Sequence, residues 1–339
     1  MIVQSYRLFS PRQIRTDFIN VPIEKKSILV RPTYLSICAA DQRYYQGRRD
    51  PQILAKKLPM ALIHEAVGEV VYDPEGEFSV GDKVVMIPNT PIEHDDVIKE
   101  NYLRSSYFRS SGYDGFMQSV VSVERTRVIK YNNIEDRIAV LLELLSVGMN
   151  ALEHFESYSH LKKQTIGVWG DGNVGFATAL ILKKTFPNAK LVVFGASNEK
   201  LHYFQFADEI HHVSEIPEDL KIDHAFECVG GTKSEDAINQ IIDMINPQGT
   251  IALMGVSENN IPINTRMVLE KGLTIIGNSR SGYEDFEAAI NFIENNSDVP
   301  GYLSSIISDE IEVKTIKDIN NAFEKDISND FKTIMKWHM

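Results

Sequence analysis

The chain has 339 residues, enough for about two domains at roughly 150 residues each and for a core that needs no covalent staples. It carries 35 Lys and Arg against 47 Asp and Glu; the net charge of −12 excludes a general binder of nucleic acid or anionic membrane but allows a local basic pocket. With 24% charged residues and two cysteines, Cys38 and Cys228, neither intrinsic disorder nor a disulfide framework is expected, and the cysteine usage fits a reducing, cytoplasmic compartment.

The start, MIVQSYRLFSPRQIR, lacks a basic segment followed by a continuous apolar one, so no signal peptide is expected. Up to about residue 130, short β-rich runs such as Ser27–Val30, Ala66–Val71 and Lys83–Ile87 alternate with turn residues, which predicts a small barrel or sandwich. Pro88–Ser111 is polar and irregular and reads as a long loop. The apolar stretch Ile138–Leu152 is too short to span a bilayer and has Glu143 within it.

After about residue 150 strands and helices alternate. Thr165–Trp169, Lys190–Phe194, Asp223–Cys228, Thr250–Met254 and Leu273–Gly277 read as strands. Asn173–Thr185, Asn198–Phe206, Ser234–Ile245 and Thr265–Lys271 read as the helices between them, and the pattern predicts a doubly wound parallel sheet. Two helices, Asp285–Asn295 and Ile316–Lys325, and a strand, Lys332–Trp337, close the chain.

The strongest local motif is Gly170-Asp171-Gly172-Asn173-Val174-Gly175, set between a strand and a helix. Its glycines allow a tight turn and close approach to a pyrophosphate, which the helix N-terminus then receives. Sites for NAD place Asp or Glu about 20 residues further on, against the ribose hydroxyls. Gly195 stands there in this chain, with Ser197 and Lys200 available to a 2′-phosphate, so the expected cofactor is NADP(H), although Glu199 opposes it. Ser197 or Asn198 also serves as an ordinary helix cap.

Four residues stand out against apolar surroundings. Glu143 lies within Val140–Leu145, where a buried carboxylate needs a cation or a hydrogen-bond partner, unless it marks the solvated stripe of a helix. His64 and Glu65 follow the apolar run Met60–Ile63, and Cys38 follows Tyr34–Ile37. No local spacing joins them, and a lone buried Cys is ordinarily inert.

Five segments, Ser36–Asp41, Ile63–Gly68, Gly81–Val84, Gly112–Gln118 and Glu143–Gly148, occur with the fingerprint in an order and spacing that resembles the zinc-dependent medium-chain dehydrogenases, on the sorbitol-dehydrogenase-like branch. The resemblance implies a mixed α/β protein: a GroES-like β-barrel catalytic domain from residues 1–150 and 281–339, with a Rossmann dinucleotide-binding domain at 151–280. It implies that Cys38, His64 and Glu143 ligate one catalytic zinc with an open position, and that Glu65 is either a supporting group or an exchanging ligand. No cysteines occupy Pro88–Ser111, so a second, structural zinc is not expected. Ala40 stands where the family has a Ser or Thr proton relay, which leaves zinc-bound water, Tyr44 or another group to deliver the proton.

A narrower likeness, in Cys38–Tyr45, Ser105–Phe116, Ile222–Gly231 and Gly277–Gly282, is to the ribulose-5-phosphate reductases. It implies NADPH-dependent reduction of D-ribulose 5-phosphate to D-ribitol 5-phosphate for CDP-ribitol, teichoic acid or capsule synthesis. A homodimer and a ribitol-5-phosphate cytidylyltransferase as pathway partner are implied with it. Arg43 and Arg109 are candidates for the substrate phosphate, and Arg280 for the cofactor, while Cys228 reads as core. The competing readings are an NAD-dependent polyol dehydrogenase and a non-catalytic dinucleotide-binding sensor.

Overall fold

In the computed structural model, which describes residues 1–339, the regular structure up to residue 143 is mostly β. β1 (Ile2–Ser10) turns Val3, Tyr6 and Leu8 inward and Gln4 and Phe9 outward, and β2 (Gln13–Asn20) pairs with it antiparallel. β3 (Ser27–Ser36) buries Ile28, Leu29 and Val30 in succession, as a strand covered on both faces does. Two seven-residue helices follow, α1 (Ala39–Tyr45) and α2 (Pro51–Lys57), with Cys38 and Asp50 at their N-caps. Two turns are too short for a periodic apolar signal, and neither helix was predicted.

The chain continues through β4 (Met60–Ala61), β5 (Glu65–Tyr72) and β6 (Lys83–Met86). The Pro88–Ser111 segment, expected as loop, holds a small hairpin of β7 (Asn89–Pro91) and β8 (Ser106–Phe108). β9 (Val121–Glu124), β10 (Val128–Lys130) and the one-turn α3 (Asp136–Ala139) lead into the long helix α4 (Leu142–Tyr158), with Glu143 in its first turn.

The next stretch carries β11 (Thr165–Trp169), α5 (Asn173–Thr185), β12 (Lys190–Gly195) and α6 (Asn198–Leu201). α6 ends after one turn, short of the predicted Phe206, because Phe204 and Phe206 swing in to pack edge-on against Phe176. β13 (Glu209–His212), β14 (His224–Glu227), α7 (Ser234–Met244), β15 (Thr250–Leu253), α8 (Thr265–Lys271) and β16 (Thr274–Gly277) complete it. The sheet runs β13-β12-β11-β14-β15-β16, every neighbour parallel. Counted from β11 this is the order 3-2-1-4-5-6 of a dinucleotide-binding doubly wound fold. Trp169 and Phe194 stack at 3.9 Å in its core.

α9 (Tyr283–Asn295), α10 (Val299–Ser305), β17 (Ile307–Val313), α11 (Ile316–Asp326) and β18 (Lys332–Trp337) bring the chain back to the first sheet. β18 pairs antiparallel with β3, so the sheet reads β10-β6-β5-β3-β18-β17 with β9 also on β3. Phe323 of α11 stacks on Tyr45 at 4.5 Å, tying α11 to α1. By contacts the chain forms two units, Met1–Glu143 with Ser281–Met339, and Leu144–Arg280. No helix is long and apolar enough to cross a membrane.

Candidate metal centre and dinucleotide cradle

The first unit gathers the sulfur, nitrogen and oxygen donors. Cys38 ends the turn after β3, His64 immediately precedes β5 and Glu65 opens it, opposite Ser36 of β3. Ile63 sits at φ +73, a left-handed conformation rare for a β-branched residue, and this kink precedes the outlying imidazole. The donor atoms of Cys38, His64 and Glu65 all lie within 4.8 Å of one another. His64 and Glu65 are buried and Cys38 is half-buried.

Two residues that the sequence did not single out hold this set. Asp41 is fully buried, its carboxylate 3.5 Å from His64 Nδ1 while accepting hydrogen bonds from Cys38 N (3.2 Å), Ile63 N (3.0 Å) and Ser110 Oγ (2.6 Å). Burial alone would raise the Asp41 carboxyl, yet His64 and these donors hold it below its ordinary value. A carboxylate behind a ligand imidazole fixes the ring's tautomer and orientation. Lys332, at the start of β18, donates to both oxygens of Glu65 at 2.5 and 2.7 Å and to the Ile37 carbonyl at 3.2 Å. Burial would lower the Lys332 ammonium, but Glu65 and Cys38 raise it. Glu65 is thereby an ion-paired group whose two oxygens are already engaged.

Glu143 stands outside the 4.8 Å set but within the same field. Burial pushes its carboxyl up to about 7, opposed by His64 and reinforced by Glu65 and Asp41. Burial would lower the His64 imidazole; Asp41 and Cys38 more than offset this and hold it well above its ordinary value. A pocket with one sulfur, one imidazole and several buried acids retains protons that a cation displaces. Its S, N and O donors suit zinc.

The second unit carries the fingerprint. A Cβ on Gly175 would lie 1.9 Å from the Gly170 carbonyl oxygen, so only glycine lets α5 start this close to β11. At Gly172, the N-cap of α5, a Cβ would meet nothing within 4 Å, an open cradle where a pyrophosphate needs space. Asn173 Oδ1 is buried without a hydrogen-bond partner, an orphan that a bound cofactor would satisfy. Val174 lies in the same first turn. These observations fit a dinucleotide, and a cavity of about 660 Å³ opens beside Gly170, Gly172, Ala196 and Val213.

The residues beyond β12 show why Gly195 is bare. The Asp171 carboxylate accepts from Ala196 N at 2.7 Å and Ser197 N at 2.8 Å. A Cβ at Gly195 would fall 2.7 Å from Asp171 Cβ. Ser197 caps α6, accepting from Lys200 N at 3.3 Å and donating to Glu199 at 2.9 Å. Arg280 ends this unit at φ +61, with burial lowering its guanidinium. Cys228 packs near Thr178 and Met254, and burial pushes its thiol up, out of any reactive range.

The two arginines named for the phosphate lie apart in their surroundings. Arg43 is half-buried in the last turn of α1. Arg109 donates to the carbonyls of Asp114 (3.3 Å) and Ser122 (2.7 Å) and stacks over Phe116, and burial lowers it to about 10. The hollow that Arg109 lines is shared with Thr90, Tyr107 and Ser122, and none of the metal donors borders it.

Known proteins match this arrangement along its length. Residues 24–133 match the family described as alcohol dehydrogenase GroES-like domain, and residues 194–295 the family described as zinc-binding dehydrogenase. The chain is 51% identical to ribulose-5-phosphate reductase 1 of Staphylococcus aureus over the full length of both, and 53% identical to ribulose-5-phosphate reductase 2 of that organism over 99% of each. The crystal structure of S. aureus TarJ in complex with NADPH superposes with a TM-score of 0.90 at 46% identity, covering all of both chains. The chain belongs to the zinc-dependent medium-chain dehydrogenase family, in the branch that holds the ribulose-5-phosphate reductases.

Proposed function

We propose that the protein reduces D-ribulose 5-phosphate to D-ribitol 5-phosphate with NADPH at a single catalytic zinc. The gathering of Cys38 and His64 with the buried carboxylates Glu65 and Glu143, braced by Asp41 and Lys332, supports the reaction class. Full-length similarity to ribulose-5-phosphate reductases supplies the substrate, and the NADPH complex of TarJ supports the cofactor. Neither the sorbitol-type nor the non-catalytic reading gains an observation in its favour.

Cys38, His64 and Glu143 would hold the metal, with Glu65 at their side; bound there, zinc supplies a Lewis acid for the substrate carbonyl. Gly170, Gly172, Asn173, Val174 and Gly175 receive the cofactor's pyrophosphate, Ser197 and Lys200 after β12 are assigned to its adenosine end, and Arg280 after β16 to the cofactor on the other half of the sheet; the nicotinamide supplies the hydride. Asp41 keeps the His64 ring in one orientation, and Lys332 holds the Glu65 carboxylate in place through both of its oxygens. Ala40 offers no hydroxyl, so the product oxygen takes its proton from another donor. The product suits a ribitol-5-phosphate cytidylyltransferase as the next enzyme, toward teichoic acid or capsule. A cytoplasmic homodimer completes the reading.

The test is a spectrophotometric panel of pentulose and hexulose phosphates and their unphosphorylated sugars, with NADPH and NADH. Ribulose 5-phosphate with NADPH should give the highest kcat/KM. Equal rates on ribulose, or a preference for NADH, would contradict the proposal.

A further inference from the structure

A second polar cluster lies in the same unit and has no part in holding the metal donors. Tyr44 of α1 is 2% exposed. Lys57, the last residue of α2, places Nζ 3.1 Å from the Tyr44 hydroxyl and 2.9 Å from Ser111 Oγ, donating to both. The Arg49 guanidinium lies 4.6 Å from the Tyr44 ring centroid, with Nε buried and lacking a hydrogen-bond partner. Neither Lys57 nor Arg49 has a carboxylate partner. Other cations of the same unit, such as Arg7 and Lys83, do pair with acids. The carboxylate next in sequence, Asp50, is turned to the backbone of α2.

Lys57 uses the two hydroxyls as acceptors, which leaves their own hydrogens to donate elsewhere. One ammonium, one guanidinium and two hydroxyl donors therefore meet without an anion among them. This is the donor chemistry of a doubly charged oxyanion. The cluster is joined to the metal donors on both sides. Ser111 follows Ser110, which donates to Asp41 behind His64. Tyr44 lies six residues beyond Cys38, a rise of about 9 Å along the helix, with its side chain leaning back toward the Cys38 end. In an open-chain pentulose 5-phosphate, five single bonds of about 1.5 Å separate C2 from phosphorus, roughly 6 Å when extended. A cluster joined to the metal donors through adjacent residues of the chain is the place to look for the partner of the far end of such a molecule.

We propose that Lys57, Tyr44, Ser111 and Arg49 form the site for the substrate's phosphate group. The assignment rests on the reading of the protein as a sugar-phosphate reductase. It is tested with wild type, Lys57→Met, Lys57→Arg and Tyr44→Phe on ribulose 5-phosphate and on ribulose with NADPH. Calorimetry with inorganic phosphate gives a separate readout, and thermal melting reports folding. Lys57→Met should raise KM for ribulose 5-phosphate and cut the preference over ribulose about 10- to 100-fold, the range for a lost charge-assisted hydrogen bond. It should weaken phosphate binding to a similar extent, and Lys57→Arg should recover part of both. Tyr44→Phe should raise KM and leave kcat near wild type; a collapse of kcat on both substrates would instead make Tyr44 a proton donor and overturn its assignment. Equal losses of Lys57→Met on both substrates, or unchanged phosphate binding, would overturn the site. Should Lys57→Met fail to fold, Ser111→Ala is judged by the same preference and phosphate binding. If wild type does not distinguish ribulose 5-phosphate from ribulose, the functional reading fails, and phosphate binding by wild type against Lys57→Met decides the subsite alone.

Discussion

Asp41 and Lys332 show how much of this centre lies behind its donors. Each is a buried charge with a buried partner, and removing one half of such a pair leaves the other uncompensated. Lys332→Met strands Glu65 and should destabilise the metal-free protein by about 3–5 kcal/mol in denaturant unfolding; a change within ~0.5 kcal/mol would show that the pair does not hold the fold. The pH response follows from the two raised groups. A carboxyl raised to about 7 favours the fold below its ordinary 4.5 and loses that contribution as pH climbs from 4.5 to 7. His64, also raised, favours the fold below 6.5 and loses its contribution as pH passes its higher folded value. Both shifts make the metal-free protein less stable in alkali, and both protons must leave before a cation binds. The thermal shift caused by zinc should therefore be larger at pH 8 than at pH 5.5. A shift that is flat or reversed between those pH values would contradict this picture of the pocket.

At the scale of elements, the legible parts were those with a strong period or a rigid turn. Asn173–Thr185, Thr265–Lys271 and Lys332–Trp337 were placed to the residue, since each is a run bounded by turn residues. β13 escaped notice because an edge strand reading Glu-Ile-His-His has no apolar alternation. α1 and α2 escaped because they are two turns long, although they carry Tyr44 and Lys57. Cys38, His64 and Glu65 were joined only through family resemblance, since β3 and β5 bring them together without any local spacing. Asp41 lay inside a quoted motif without a role. Lys332 is 267 residues from Glu65, and only the pairing of β18 with β3 makes them neighbours. The β12 turn also behaves as a unit. Gly195→Asp should not by itself give an NADH enzyme, because its Cβ collides with Asp171, and NADPH affinity should fall at least about tenfold with no gain for NADH. Pairing it with Asp171→Gly removes the clash with Asp171, leaving only the end of the Leu201 side chain 2.8 Å from the new Cβ, and should raise the NADH preference; titration of both cofactors by fluorescence tests this, and an efficient switch by Gly195→Asp alone would refute the coupling.

For the whole molecule, the charge of −12 argues against polyanions as general partners and requires an anionic substrate to meet a local group of cations. The parallel 3-2-1-4-5-6 sheet and the sheet closed by β18 put a dinucleotide cradle and a metal donor set into one chain, a combination suited to hydride transfer at a polarised carbonyl. The proposed reaction depends on the metal. The direct measurement is NADPH oxidation with ribulose 5-phosphate before chelation, after chelation and after zinc is returned, with zinc counted per chain. Activity should fall by about 100-fold or more on chelation and return in proportion to zinc, saturating at one ion per chain. Full activity in a zinc-free preparation would contradict the account.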